Sequence, residues 1–422
     1  MLIYHYYYIN IFPFFYKNAI IFSLKGYSKG NTTKYCLTFE FVIGMATKNL
    51  KNAKINKQDE FYTCMEDISK ELKYYKEHFE GKTVLCNCDD PYESNFFKYF
   101  AINFNFLKLK KLIATCYDGS AVAGTQLSIF DDFDDNERKA YKVEITEIKD
   151  LNNDGCIDLF DVELLLKQEG VVKKLNGNGD FRSDECIELL KESDIVVTNP
   201  PFSLFREYIT QLVEYNKNFI VIGNTNSLTY QEIFSLFEKD KIRTGYTNFN
   251  VGMFFVVPDW YDKFHHIDDM GRKIARVSSS CWYTNLEVKK HQEELVLFKK
   301  YSPEEYPKFD NYDAINIDLY KDIPCDYDGV MGVPITFLDK YNPTQFELVG
   351  MAKTPLGSHL RTKIYPKQKQ YNKNGTTSMV TKLNDGPALK VDKRPSKYPY
   401  YEINNQLYVS VYARILLRRK EN

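Results

Sequence analysis

Short apolar runs alternate with segments of helical spacing through the middle of the chain, and that alternation sets the expected architecture. Gly81 introduces Thr83-Val84-Leu85-Cys86, a buried strand by pattern, preceded by helical spacing over residues 68–76. Ser94 is placed to cap a helix over 95–104. A second strand follows at 111–117, ending at Asp118, and two more are expected at 194–198 and 219–223, with helices between and after them. Strands alternating with helices predict an α/β fold with a Rossmann-like, doubly wound parallel sheet, whose ligands bind at the strands' carboxyl ends. After Tyr230 the texture changes. Residues 251–258, 278–286 and 294–298 read as antiparallel strands, and the chain past Gly329 reads as rich in loops. A domain boundary is expected near residue 300, giving a main domain over 45–300 and a smaller C-terminal region over 301–422.

Composition adds little to this outline except at the two ends. The chain has 422 residues, 44% of them hydrophobic, enough for a large core. Its 56 Lys and Arg against 57 Asp and Glu give no overall electrostatic case for a nucleic-acid partner, so any such surface must be local. The last stretch, from Arg361 to Lys420, is basic, and reads either as a solvated surface or as a phosphate-binding one. Nine cysteines, without a CxxC pair, argue against a disulfide framework and a structural zinc site, and a cytoplasmic location is expected. Residues 1–44 carry aromatic runs such as Tyr6-Tyr7-Tyr8 but neither a secretory-signal pattern nor a run long enough to span a bilayer, so no membrane partner is expected. They read as an upstream extension, with Met45 opening the functional protein.

The sharpest chemical signal is Asn199-Pro200-Pro201-Phe202, immediately after the apolar run 194–198. The exocyclic amine of adenine is a poor nucleophile because its lone pair is delocalised into the ring. An Asn side-chain oxygen and the carbonyl of the next residue can each accept one of its N–H groups, favouring a pyramidal nitrogen. Two prolines stiffen the loop and remove competing donors. Phe202 offers a face for a base drawn out of a duplex: extrusion costs a few kcal/mol, and stacking returns about 1–3 kcal/mol. The plainer reading is a strand ending in a rigid turn.

With these residues the sequence resembles the adenine-specific DNA methyltransferases, most closely the EcoRI-type modification methylases. The likeness runs from about Asp59 to Phe346, through Phe61-Tyr62-Thr63, the segment from Val84 to Pro91, Gly179-Asp180-Phe181, the tetrapeptide, Trp282-Tyr283-Thr284-Asn285 and Met331-Gly332-Val333-Pro334. The resemblance implies site-specific transfer of a methyl group from S-adenosylmethionine to N6 of a flipped adenine in double-stranded DNA. It further implies a restriction-modification or mobile-element setting, a separately acting restriction endonuclease, and a C-terminal target-recognition region. By the same resemblance Phe61, Tyr62 and Thr63 close over the methionine part of the cofactor, Asp89 lies near its amino group and Asp118 binds the ribose hydroxyls. Asp180 and Phe181 then contact the cofactor's adenine. The chain departs from many methyltransferases in having Asp89-Asp90-Pro91-Tyr92, without glycine, after the first strand. Helix capping is the alternative role for that acid pair.

A second signal is the stretch from Asp150 to Asp161, with Asp150, Asn152, Asp154, Asp158 and Asp161 at oxygen-ligand positions, Cys156 at the backbone-ligand position and Gly155 at the sharp turn. It reads either as a structural calcium loop or as a metal-free turn leading into a capped helix at Leu159. Trp282 and Tyr283 could line a base pocket or fill a core. Arg206 and Glu207 read as surface residues, His265-His266 as a loop pair, and Asn224 as a residue close to the cofactor cleft. The rival functions are methyl transfer to RNA adenine or to a protein glutamine, and, in another class, a calcium-binding interaction module.

Overall fold

The computed structural model describes residues 62–88, 90–118, 140–259 and 261–420, together with the backbone of an antiparallel pair at Lys25–Ser28 and Thr33–Cys36. The expectations for Phe61, for Asp89 and for most of residues 1–44 lie outside the described residues. An eight-stranded mixed sheet organises the molecule. Its centre holds four parallel strands, β2 (Thr83–Cys86), β3 (Lys111–Cys116), β6 (Ile195–Thr198) and β7 (Asn218–Asn224), in the order β3-β2-β6-β7. Every residue of β2 and of β6 is buried, as their unbroken apolar spelling requires. Antiparallel strands extend both edges: β4 (Tyr141–Ile145) and β5 (Val172–Lys174) beyond β3, and β12 (Ser280–Thr284) and β8 (Arg243–Thr244) beyond β7. The doubly wound expectation therefore holds for the centre, whereas the whole sheet is mixed.

Four helices matter for the site. Helix α1 (Met65–Leu72) follows the short strand β1 (Tyr62–Thr63). Helix α2 (Asn95–Ile102) is capped as expected, the Ser94 hydroxyl accepting from the Phe96 and Phe97 amides. Helix α4 (Asp184–Glu192) leads into β6, and α5 (Phe205–Glu214) leaves it. Helix α3 (Leu159–Leu166) sits in the segment between β4 and β5, and α6 (Gln231–Glu238) follows β7. No helix among the described residues is long and apolar enough to cross a membrane.

A second sheet, in the order β10-β11-β9-β1, brings β9 (Met253–Val257), β10 (His266–Ile267) and β11 (Lys273–Val277) against β1. The expected strand at 294–298 is absent. Val296 and Phe298 are exposed, and the Gln345 side-chain amide donates to the Leu295 carbonyl and accepts from its amide at 2.7 and 2.8 Å, taking the place of a ladder partner. The region past Gly329 is also not loop-rich. Strands β13 (Ile315–Asn316), β14 (Met331–Pro334), β15 (Phe346–Ala352) and β21 (Arg414–Arg419) form one sheet. Strands β16 (Gln368–Tyr371), β17 (Thr377–Val380), β18 (Ala388–Val391), β19 (Tyr400–Ile403) and β20 (Gln406–Ser410) form another. One hydrophobic cluster runs from Val196, Phe205 and Phe219 to Met331, Ile415 and Leu417, so the first of these sheets packs directly on the parallel centre.

Candidate active site

The winding of the central sheet reverses between β2 and β6: the chain leaves β2 towards β3 on one side, and β6 towards β7 on the other. A crevice at the carboxyl ends of two such strands is where this class of sheet binds ligands. Asn199 and Pro200 leave β6 at that point, and the Pro201 carbonyl accepts the Leu204 amide at 2.9 Å, so the tetrapeptide turns directly into α5. Asn199 is half-buried. Phe202 is half-buried on the main core and meets Phe255 edge-on, with ring centroids 6.3 Å apart.

Phe255 connects the tetrapeptide to the segment assigned to the cofactor's methionine end. It pairs with Thr63 across β9 and β1, while Tyr62 pairs with Val256. The Thr63 carbonyl accepts the Asn95 amide side chain at 2.8 Å, drawing the start of α2 to the same place. The Thr63 hydroxyl is buried and has no hydrogen-bond partner among the described residues.

Beyond β2, Asn87 is buried and accepts the Tyr208 hydroxyl from α5. The Phe181 ring meets Tyr208 edge-on at 5.0 Å. The end of the first strand, the Gly179-Asp180-Phe181 segment and the helix after the tetrapeptide thus converge on Tyr208, which the sequence reading missed. Its place in the stripe Phe205, Tyr208, Ile209, Leu212 marks it as core, and a hydroxyl on that buried face was the available signal. Asp118 donates its amide to the Asn178 carbonyl at 3.0 Å, so the two segments expected to hold the cofactor's nucleoside lie side by side. Gly179 makes this approach possible: at φ +76° a Cβ there would stand 2.4 Å from the Cys116 carbonyl oxygen.

Both carboxylate oxygens of Asp180 take Arg182 guanidinium hydrogen bonds, at 2.8 and 2.6 Å, and this partner holds the carboxyl below its ordinary range. Arg182 also lies over the Phe181 ring at 5.2 Å and reaches Glu207 on α5. A groove of about 690 Å3 is lined by Phe181, Arg182 and Leu204 and by α5 residues from Arg206 to Glu214.

Asp90 acts as a clamp across the strand ends. Its carboxylate accepts the Tyr141 hydroxyl at 2.7 Å, the Tyr92 amide at 2.9 Å and the Cys116 thiol at 3.4 Å, and burial raises its pKa. The side chain that caps α2 is Ser94, not Asp90.

The stretch from Asp150 to Asp161 closes through its own hydrogen bonds. Asp150 accepts from the Asp154 and Gly155 amides, Asn152 from the Asp154 amide, and Asp154 from the Cys156 amide. Asp161 accepts the Leu151, Asn152 and Asp158 amides and completes a capping box with Asp158 at the start of α3. Ligand atoms of Asp154, Cys156 and Asp158 come within 4.8 Å of one another, all exposed. The oxygens at the first and last positions accept backbone amides, so the loop closes as a turn leading into a capped helix through hydrogen bonds of its own. Trp282 and Tyr283 are fully buried in β12 and belong to the core. Asn224 caps the turn after β7, accepting the Asn226 amide at 2.9 Å.

A doubly wound sheet with Asn-Pro-Pro-Phe leaving a central strand at the reversal point defines the class as that of amino-group methyltransferases. The chain belongs to the EcoRI adenine-specific methyltransferase family, whose model it matches over residues 49–420. It is 47% identical over 317 residues to the type II methyltransferase M.EcoRI of Escherichia coli, a match covering 72% of this chain and 90% of that protein. It is 37% identical to M.MgeORF184P of Mycoplasma genitalium, over 76% of this chain and 92% of the relative. To M.MpnI of Mycoplasma pneumoniae it is 38% identical, over 74% and 89% respectively. No solved structure matches it.

Proposed function

We propose that the chain transfers the methyl group of S-adenosylmethionine to N6 of an adenine extruded from double-stranded DNA, at specific sites and in a restriction-modification setting with a separately acting endonuclease. Residues 45–300 form the catalytic domain and residues 301–422 the target-recognition region. The observation that carries this reading is the position of Asn199 at the carboxyl end of β6, on the crevice between β6 and β2. The Asn199 side-chain oxygen and the Pro200 carbonyl accept the two N–H groups of the target amine and turn its lone pair outward, and Phe202 stacks on the base.

The residues present fit the cofactor. The buried Thr63 hydroxyl, without a partner among the described residues, suits the polar methionine end beside Tyr62, and Phe61 and Asp89, assigned to the same end by the resemblance, lie outside the described residues. Asp118 suits the ribose, and Asp180, whose carboxylate has acceptor sites beyond those Arg182 occupies, suits the adenine amine beside Phe181. When bound, the cofactor supplies an electrophilic methyl on a sulfonium. The chain's own residues hold the acceptor amine in line and exclude water with the Phe202 and Phe255 rings. Radiolabelled methyl transfer to DNA, RNA and protein, with Asn199→Ala as control, tests the assignment. Label should enter duplex DNA, and the variant should lose about 100- to 1000-fold in kcat while still binding the cofactor. Labelling of RNA or protein in preference to DNA would refute it.

A further inference from the structure

Residues 361–384 contain six Lys or Arg and no Asp or Glu. They build the hairpin β16–β17. Among the described residues strand β17 is a sheet edge that pairs only with β16, and residues 373–379 are exposed without a break. A protruding ribbon is ordinarily soft, yet this one is fixed. Its tip is closed by Asn372 amide to Thr376 carbonyl and Gly375 amide to Asn372 carbonyl, each 3.0 Å, and by the Thr376 hydroxyl on Asn374 at 2.7 Å. At its root Tyr371 stacks on Tyr400 with centroids 4.7 Å apart and planes 10° from parallel, and Lys369 and Arg394 lie over these two rings. The hairpin's sheet is joined to the neighbouring C-terminal sheet just past β15, where the Thr354 amide donates to the Asp385 carbonyl at 3.0 Å, and the adjacent Lys353 donates to Thr229 at 2.7 Å, just past the carboxyl end of β7, the edge that also bears Asn199.

We propose that this hairpin enters the major groove of the duplex and selects the methylated site. Lys373, Thr377 and Ser378 read base edges there, and Lys367, Lys369 and Arg394 hold the flanking phosphates. A two-stranded ribbon fits the width of the major groove, and a rigid tip loses little entropy on insertion. The proposal rests on the DNA methyltransferase reading above.

The test first maps the methylated site of the full wild-type chain by sequencing, and measures kcat/KM on duplexes carrying that site or a single base-pair change. The variant Lys373→Ala/Thr377→Ala/Ser378→Ala leaves the tip's hydrogen bonds in place. It should lower the preference for the mapped site by about tenfold or more. An unchanged preference, in a variant with wild-type melting and cofactor binding, would overturn the proposal; if the triple variant does not fold, Lys373→Ala alone is read the same way. Lys367→Ala/Lys369→Ala should reduce the slope of log affinity against log salt by about one per lysine, and an unchanged slope counts against the phosphate contacts. A wild-type chain that methylates no duplex overturns the underlying reading as well, and this shows before any variant is made.

Discussion

Replacing Glu71 by Gln should destabilise the protein by about 2–4 kcal/mol, although the change alters only one atom. Glu71 lies on α1, is fully buried, and has donors facing both oxygens. The Tyr75 hydroxyl and Tyr246 amide face Oε1 at 2.9 and 2.7 Å, and the Thr247 amide and hydroxyl face Oε2 at 2.7 and 2.6 Å. The two hydroxyls can rotate, but the two backbone amides cannot. Whichever way a glutamine amide turns, its NH2 opposes one of those amides and leaves it unsatisfied at a cost of about 1–3 kcal/mol, and hydrogen bonds to a charged acceptor, about 1.5–3 kcal/mol each, fall to neutral ones. Burial raises the Glu71 pKa, so the variant recovers some desolvation energy, which keeps the net loss below the simple sum. Asp67, one turn earlier, provides an internal comparison. It accepts the Phe254 amide at 2.9 Å and the Asn248 side chain at 3.1 Å, so Asp67→Asn can keep its oxygen on Phe254 and loses a single bond, about 1 kcal/mol. Urea denaturation of the three proteins checks the ordering. Glu71→Gln within about 0.5 kcal/mol of wild type would show that the loop from Gly245 to Gly252 is not held by a carboxylate.

Gly223→Ala places a Cβ 2.4 Å from the Phe205 ring, at the junction of β7 and α5, and should lower stability by about 1–3 kcal/mol in the same titration. Tyr208→Phe leaves the buried Asn87 oxygen without its main donor, and a loss of about 1–3 kcal/mol is expected; no loss would mean that the hydroxyl does not hold the end of β2. Asp310 is desolvated, but Lys363, Lys390 and Tyr365 outweigh that and hold its pKa down at about 2. A depressed carboxyl contributes stability above its unfolded value near 4, which is lost as pH falls towards 2. The drop from 3.8 corresponds to about 2.4 kcal/mol at most; because both lysines are half-exposed, about 1 kcal/mol should separate wild type from Asp310→Asn at pH 5, and the gap should close towards pH 2.

The parallel centre of the fold was legible because buried parallel strands are continuous apolar runs, and β2, β3, β6 and β7 are spelled that way. The C-terminal sheets were not, since β16 and β17 bury only Gln368 fully and leave Lys369 and residues 377–379 exposed; periodicity has nothing to detect in a strand whose faces are both wet. The same limit applies to the site. Asn199 to Phe202 announce themselves by residue type, whereas Tyr208, Asp90 and Glu71 look like ordinary members of a helix or turn until the fold delivers partners from Asn87, Tyr141 and Thr247, between 51 and 176 positions away in sequence for Asp90, Tyr208 and Glu71. Those long-range contacts have one effect in common, which is to fix the surroundings of the crevice before any ligand arrives. Asp90 ties β2 to β3 and β4, Tyr208 ties β2 to α5, and Glu71 orders the loop that delivers Phe255 to Phe202. Methyl transfer needs an amine held in line to within a fraction of an ångström. On the proposed reading the tetrapeptide supplies the acceptors and the buried polar ties around it hold them in place, so damage at Glu71, far from Asn199 in sequence, should be felt in both stability and rate.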